Sequence, residues 1–237
     1  MARAATRPEP RMSTPALLDS SALLERPGQR RSAVRSPSPR RGAPLVAAVP
    51  RQALIADFLA IAALDPGVER LKAAPTPIRL PLGDGVIEHA ADFEQVRTDE
   101  PGLLVDVVAE ADLGRHPFRT AYVAGEPVVA EDGRRFVIES AASLRAEPRI
   151  STVRLIMACR RTYVSAGDRV RILHHLDECG TGRLVDCAGM AINAQDGVAA
   201  VLALAVEGLL AVDIGRPILP ETAVRRRPLP YPDPFGF

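Results

Sequence analysis

The alternation of apolar and polar residues along the first half of the chain predicts an α/β protein. Residues 51–66, RQALIADFLAIAALDP, carry apolar side chains at helical spacing and stop at Pro66. The segments PIRLPL (77–82) and VIEHAADFEQV (86–96) predict two strands, and the GDG between them is a strong hairpin signal. The apolar segment GLLVDVVAE (102–110) predicts a central strand.

The pattern then returns to alternating helices and strands. A short helix is expected at 116–125, a strand at 134–140 (RRFVIES) and an amphipathic helix at 151–164. This order predicts a sheet with helices on its faces.

A second unit is predicted from residue 165 onward. SAGDRVRILHHLDECG (165–180) predicts a helix capped by Ser165 or Asp168 and ended by Gly180. Two further helices are expected at 181–192 and 196–210. The segments LLAVDI and ETAVRRR then predict paired strands around GRPILP. Three helices and a two-stranded wing indicate a small winged-helix-like domain.

Composition adds two tails to this organisation. Residues 1–45 hold nine arginines against three acidic residues, with many Pro, Ser and Ala, which predicts a disordered basic tail. The last segment, PLPYPDPFGF, predicts a proline-rich tail. The predicted organisation is therefore a tail at 1–45, an α/β domain at 46–162, a winged-helix-like domain at 163–227 and a tail at 228–237.

Charge and cysteine content exclude several classes of protein. The formal net charge is +1, so no global basic field indicates a nucleic-acid partner. The three cysteines, Cys159, Cys179 and Cys187, have no regular ligand spacing and suit a reducing cytosol, which predicts a cytoplasmic protein. The longest apolar run, VAAVLALAV (198–206), is too short to span a membrane.

Asp92 and Asp106 are the candidate chemical residues, because each lies within a predicted strand. Residues two apart in a strand face the same side of the sheet. A carboxylate followed two positions later by a lysine therefore places a metal ligand and an amine that assists the attacking water at one point. A second carboxylate on the adjacent hairpin strand completes a magnesium site that can cleave phosphodiesters. This is the arrangement of the PD-(D/E)XK nucleases.

Four segments carry a family resemblance: LIADFLAIAALDPGV, HAADFEQV, LVDVV and RRFVIESAASLRAEPRISTVRLI. In order and spacing they resemble the N-terminal nuclease domain of TnsA, the endonuclease subunit of heteromeric transposases. The resemblance covers roughly residues 50–160, and the winged-helix-like domain behind it fits the TnsA layout. It implies a restriction-endonuclease-like mixed sheet flanked by helices, a Mg²⁺ cofactor, and a role in DNA transposition or recombination within a bacterial mobile element. The implied partners are DNA and transposase or ATPase subunits.

The departures from the family fall on the chemistry. By the resemblance, Asp92 corresponds to the metal-binding aspartate and Asp106 to the acidic position of the second motif. The helix glutamate is replaced by Ile55 and the lysine by Val108. Lys72, the only lysine, is placed just before the first predicted strand. We therefore expect a nuclease fold whose catalysis is impaired or absent, with Asp92 and Asp106 as remnant ligands that bind Mg²⁺ weakly or not at all. Ile55 and Val108 are expected to border the same spot as the two aspartates.

Two other functions stay open from the sequence. One is an active Mg²⁺-dependent endonuclease with a rearranged site, and the other is a winged-helix regulator with a degenerate scaffold domain. Locally, Asp92 and Asp106 taken without the resemblance are ordinary strand residues that cap turns or pair with arginine.

The second unit offers a zinc alternative and a DNA-reading alternative. The zinc alternative uses His174, His175, Cys179 and Cys187, but a surface histidine with partly buried cysteines is favoured because the spacing lacks a paired motif. The helix expected at 196–210 carries no Arg, Lys, Asn or Gln for base edges, so it is predicted to pack against protein.

Overall fold

The computed structural model describes residues 49–98 and 101–227, which belong to one compact unit. The predicted tails at 1–45 and 228–237 lie outside the described residues. Within these residues the helices are α1 (Arg51–Leu64), α2 (Glu110–Leu113), α3 (Arg119–Ala124), α4 (Ala141–Leu144), α5 (Arg149–Ala158), α6 (Ala166–Cys179), α7 (Leu184–Gly189) and α8 (Gly197–Val206). The strands are β1 (Val68–Ala73), β2 (Ile78–Leu82), β3 (Gly85–His89), β4 (Phe93–Arg97), β5 (Leu103–Val107), β6 (Val128–Val129), β7 (Arg135–Glu139), β8 (Thr181–Arg183), β9 (Leu210–Val212) and β10 (Ala223–Arg226).

The main sheet has five strands in the order β1-β4-β5-β7-β6. Strands β1, β4 and β5 form an antiparallel meander, β7 pairs with β5 in parallel, and β6 returns antiparallel to β7. The prediction of an α/β fold with a mixed sheet flanked by helices is confirmed. The apolar segment around Asp106 is the central strand, as its composition indicated.

The predicted β-hairpin forms, but it stands apart from the main sheet. Strands β2 and β3 make a separate two-stranded antiparallel sheet whose turn includes Gly83 at φ +58°, a conformation that glycine adopts without steric cost. The prediction of one strand over residues 86–96 is wrong. The chain turns at residues 90–92, because its first part pairs with β2 and its second part with β1 and β5.

Strand β1 was not predicted, and it changes the position of Lys72. Its burial pattern is mostly exposed, so its sequence, VERLKA, carries little of the apolar signal of a strand. Lys72 therefore lies within the first strand of the sheet, opposite Glu94 of β4, and not before it.

The two faces of the main sheet are covered by different elements. Along β5, Val105 and Val107 belong to a large apolar cluster that also includes residues of α1, α5 and α8. Leu104 belongs to a smaller cluster with Leu80 of the hairpin and with Phe118, beside α3. Successive residues of β5 contribute to different clusters because side chains alternate between the two faces of a strand.

The second half of the chain contains α6, α7, α8 and a three-stranded antiparallel sheet of order β8-β10-β9. The hydroxyl of Ser165 accepts a hydrogen bond from the amide of Asp168 at the start of α6, and Gly180 follows its end, as predicted. The prediction of two wing strands missed β8, whose three residues, TGR, carry no apolar alternation.

Helix α8 is the centre of the large cluster. Six consecutive residues, 200–205, are buried, and the helix packs against α1, α5, α7 and β9. The prediction that this helix packs against protein is confirmed, and its partner is the protein's own core. The large cluster contains residues on both sides of the predicted domain boundary at 162/163. No helix among the described residues is long and apolar enough to cross a membrane.

Candidate functional site

Asp92 and Asp106 lie side by side where the β4–β5 pairing ends. The last paired residues there are Phe93 of β4 and Val105 of β5. Asp92 precedes Phe93 and Asp106 follows Val105, so the antiparallel register brings the two aspartates to the same edge of the ladder. The structure thus places the two predicted site residues next to each other.

Each aspartate accepts a backbone hydrogen bond at this strand end. The amide of Asp92 donates to Oδ1 of Asp106 over 3.0 Å. The amide of Val107 donates to Oδ2 of Asp92 over 2.8 Å. The two carboxylates therefore supply acceptors at the point where the strand ladder stops, and buried amides without an acceptor would be costly.

Arg51, in the first turn of α1, completes the arrangement around Asp92. Its Nη2 donates to Oδ1 of Asp92 over 2.5 Å, and its Nε donates to the carbonyl of Val107 over 2.8 Å. Both carboxylate oxygens of Asp92 are thus bonded to protein donors. These contacts agree with the alternative reached without the family resemblance, in which Asp92 caps backbone groups and pairs with arginine.

Two histidines converge on the other aspartate. Nε2 of His89, the last residue of β3, lies 2.7 Å from Oδ2 of Asp106. Nε2 of His116, in the loop between α2 and α3, lies 2.9 Å from the same oxygen. The hairpin, the central strand and the α2–α3 loop therefore meet at one carboxylate oxygen.

Two phenylalanines of the smaller cluster hold the imidazole rings. His89 meets Phe118 and Phe136 edge-on, with ring centroids 5.4 and 5.1 Å apart. His116 is stacked on Phe136 with an interplanar angle of 12°. The amide of Phe118 also donates to Nδ1 of His116 over 3.3 Å. Because Nδ1 accepts, the proton of a neutral His116 is on Nε2 and is donated to Asp106.

The electrostatics of Asp106 favour its charged form. Burial by itself raises the pKa of this carboxyl, but hydrogen bonds from His116 and His89, the charge of His89 and the amide of Asp92 outweigh it. The net result is a pKa below the ordinary aspartate value. The carboxylate is a buried anion held by donors.

A shallow cleft of about 300 Å³ opens beside the two aspartates. Apolar residues form part of its lining, together with six polar or charged residues: Arg51, Asp92, Asp106, Asp112, Arg115 and His116. Both acidic and basic groups line it, so the cleft has no single sign of charge.

Of the residues Ile55, Val108 and Lys72, Val108 alone lies at this cleft. Val108 lines it and belongs to the smaller cluster, whereas Ile55 packs against the large cluster on the opposite face of the sheet. The expectation that Ile55 and Val108 border the same spot is wrong, because α1 directs Ile55 into the core and presents Arg51 at the site. The ammonium of Lys72 pairs with Glu94 over 3.2 Å.

The histidines and cysteines of the second unit make no comparable cluster. Among the described residues, the one group of three or more metal-ligating side chains close enough to share an ion is His89, Asp106 and His116. Burial raises the pKa of the Cys187 thiol to about 11, which disfavours the thiolate that a metal requires. His174 is exposed and pairs with Glu178.

Sequence reasoning missed three residues of the site: Arg51, His89 and His116. His89 stands three positions before Asp92, within a segment expected to be one regular strand, where residues three apart face opposite sides. The turn at 90–92 removes that objection, but it is visible only in the fold. His116 carries no local signal, since it reaches Asp106 through the path of the α2–α3 loop.

The site residues do not fit the Mg²⁺ ion that the resemblance implies. Magnesium prefers oxygen ligands and retains several of its waters. Here both carboxylate oxygens of Asp92 accept hydrogen bonds, one of them from the Arg51 cation. Two imidazoles lie against Oδ2 of Asp106.

The chain matches no protein-family model and no curated protein.

Proposed function

We propose that this chain is a TnsA-like, restriction-endonuclease-like protein of a bacterial mobile element that has lost DNA cleavage. It acts in the cytoplasm, in DNA transposition or recombination, through a complex with transposase or ATPase subunits that cut in its place. The observation that carries the proposal is the pairing of Asp92 and Asp106 on adjacent antiparallel strands, with protein donors on the oxygens of both.

The strand arrangement supports the nuclease-fold part of the proposal. Asp92 directly precedes β4, and Asp106 lies in β5, the antiparallel neighbour of β4 in the mixed sheet. A PD-(D/E)XK site needs its two carboxylates in such a position. The acidic position on β5 and the position two residues later, Val108, both line the same cleft, as the acid and lysine of such a site do.

The side chains support the loss of cleavage. Phosphodiester hydrolysis in this fold needs a metal ion to activate water and to stabilise charge on the phosphate. Arg51 stands against Asp92 with a fixed positive charge, which repels a divalent cation at that oxygen. Val108 supplies no amine to assist a water.

The second half of the chain supports a winged-helix-like module whose third helix does not read DNA. Its elements follow the order helix, strand, helix, helix, strand, strand, and the three strands form one antiparallel sheet. Residues 200–205 of the third helix, α8, are buried, so they cannot contact bases in a DNA groove.

A plasmid-nicking assay tests the proposal. Purified wild-type protein is incubated with supercoiled DNA and Mg²⁺ or Mn²⁺, beside Asp92→Ala and Lys72→Ala. We expect no metal-dependent nicking from any of the three. Nicking by the wild type that disappears in Asp92→Ala overturns the inactive assignment and supports an active endonuclease, and loss in Lys72→Ala as well identifies the relocated lysine.

The genes adjacent to this one test the proposed role in transposition. Adjacent genes for an integrase-type transposase and an ATPase are expected, and co-purification with their products is the direct measurement. An isolated gene whose product binds neither protein contradicts the transposition assignment and favours a winged-helix regulator.

A further inference from the structure

We propose that His89, Asp106 and His116 form a binding site for a divalent transition-metal ion of the Zn²⁺ class. The site shares Asp106 with the nuclease resemblance, but neither histidine corresponds to a metal ligand or catalytic residue of that family pattern.

The three side chains form a compact ligand set. Their candidate ligand atoms all lie within 4.8 Å of one another, and both Nε2 atoms are 2.7–2.9 Å from one carboxylate oxygen. Nitrogen and oxygen ligands on one Zn²⁺ ion have bonds of about 2.0–2.2 Å, so neighbouring ligand atoms stand about 3 Å apart. A small outward movement of the two imidazoles is enough to admit the ion.

The surroundings hold the ligands in place. The histidine and aspartate side chains are between 9 and 16% exposed. Phe118 and Phe136 restrict both rings, and the amide of Asp92 fixes the other oxygen of Asp106. Ligands held by packing and by a second layer of hydrogen bonds lose little freedom when the ion arrives.

The chemistry of the donors selects the kind of ion. Two neutral imidazoles and one carboxylate suit Zn²⁺ and related first-row ions, whereas Mg²⁺ requires oxygen. Three protein ligands leave a fourth position, and the cleft lined by Asp106 and His116 is where water or another ligand enters it.

Binding changes one hydrogen bond besides those to Asp106. Coordination through Nε2 of His116 transfers the ring proton to Nδ1, which then no longer accepts from the amide of Phe118. That bond is long, at 3.3 Å, and its loss is small against three coordinate bonds. The amide of Phe118 is therefore a specific reporter of the ion.

The bound ion ties together three segments that are separate in the chain. His89 ends the hairpin, Asp106 lies in the central strand, and His116 lies in the loop before α3. The hairpin pairs with no strand of the main sheet in the described residues. The ion supplies a direct link between this hairpin and the central strand.

The test is a calorimetric titration of tag-free full-length protein with Zn²⁺, and separately with Mg²⁺. The matched control is the double variant His174→Ala/His175→Ala, which removes the other two of the four histidines. We expect one Zn²⁺ per chain, binding at least about tenfold weaker in His89→Ala and in His116→Ala, and unchanged binding in the control. Mg²⁺ should not compete.

Co²⁺ gives a second measurement that needs no variant. Wild-type protein should produce the intense visible absorption of a four- or five-coordinate Co²⁺ ion without a thiolate charge-transfer band, and the nuclear magnetic resonance signal of the Phe118 amide should shift with Zn²⁺. Weak absorption like that of the hydrated ion, a thiolate band from the cysteines, or equal Zn²⁺ affinity in wild type and His89→Ala would each overturn the site. None of these results depends on DNA cleavage.

Discussion

At the scale of single residues, Asp92 stabilises the fold, a role that is separate from metal binding. Its carboxylate accepts from the buried amide of Val107 and from Arg51. Removing the carboxylate leaves a buried donor unpaired, whereas removing Arg51 mainly loses a half-exposed ion pair and one bond to a carbonyl.

We therefore expect Asp92→Ala to lower the free energy of unfolding by about 1–3 kcal/mol, and Arg51→Ala to lower it by about 1 kcal/mol or less. Urea unfolding measures both. Asp84→Ala in the exposed hairpin turn is the control, with an expected change near zero. Equal, small effects for Asp92 and Asp84 would mean that the backbone cap at the strand end contributes nothing.

Asp168 in α6 predicts a pH dependence of stability. Its side chain is 1% exposed, and burial by itself raises the pKa of its carboxyl. Hydrogen bonds from the amide of Asn193, the hydroxyl of Ser165 and the guanidinium of Arg171 have the larger, opposite effect, so the net pKa is below the ordinary aspartate value. A lowered folded-state pKa means that the charged group stabilises the fold above the unfolded value of about 3.9, and that this contribution is lost as pH falls through the folded pKa.

Asp168→Asn should accordingly reduce the urea midpoint most at pH 5–7, and its difference from the wild type should shrink below about pH 3.9. Urea unfolding at pH 7, 5 and 3 measures the difference. Asp177→Asn, on the exposed part of the same helix, serves as control. A difference that grows toward low pH contradicts the assigned sign.

At the scale of elements, Leu80 is the fully buried apolar contact of the β2–β3 hairpin, and partly buried Ile78 and Ile87 pack against the same cluster. Leu80 is fully buried in the smaller cluster, while Leu82, on the same strand, is 37% exposed. Leu80→Ala should cost about 2–5 kcal/mol and should expose the hairpin to solvent. Leu82→Ala should cost much less.

Hydrogen exchange of the hairpin amides, compared with urea unfolding of each variant, checks this expectation. Faster exchange confined to β2 and β3 in Leu80→Ala indicates that the hairpin detaches by itself. Similar losses for the two leucines would mean that Leu80 does not anchor it.

The long apolar elements could be predicted from the sequence, and the short or polar ones could not. Strand β5 and helices α1, α6 and α8 have periodic apolar residues, and their caps or stops are local. Strands β1 and β8 have too few apolar residues, since one is at the edge of a sheet and the other has three residues. Their pairing is decided by distant partners.

The residues of the candidate site also fall into those that the sequence could predict and those that it could not. Asp92 and Asp106 could be found because a strand register relates them, and each lies beside an apolar segment. His89 and His116 could not, because a turn and a loop bring them to Asp106 from 17 and 10 residues away. Arg51 could not, because the orientation of α1 against the sheet is set by packing in the core.

At the scale of the whole molecule, one apolar cluster joins the sheet to the helices that follow it. Helix α8 packs against α1 and α5, which lie on the other side of the predicted domain boundary. A fragment of residues 46–162 therefore exposes the surface that α8 covers.

We expect the fragment 46–162 to lack cooperative unfolding, whereas 46–227 unfolds in a single transition. Circular dichroism in urea and binding of a hydrophobic dye measure both. A fragment 46–162 that unfolds with a sharp transition and binds no dye would falsify the shared core and restore two independent domains.

The late position of α8 also affects how the protein is made. Its first residue, Gly197, follows the first residue of α1 by about 150 positions. At roughly 5–20 residues per second, a ribosome needs on the order of 7–30 s to add that length. During this interval the apolar side of α1 has no α8 to pack against, which gives a chaperone time to bind it before the helix that closes the core has been synthesised.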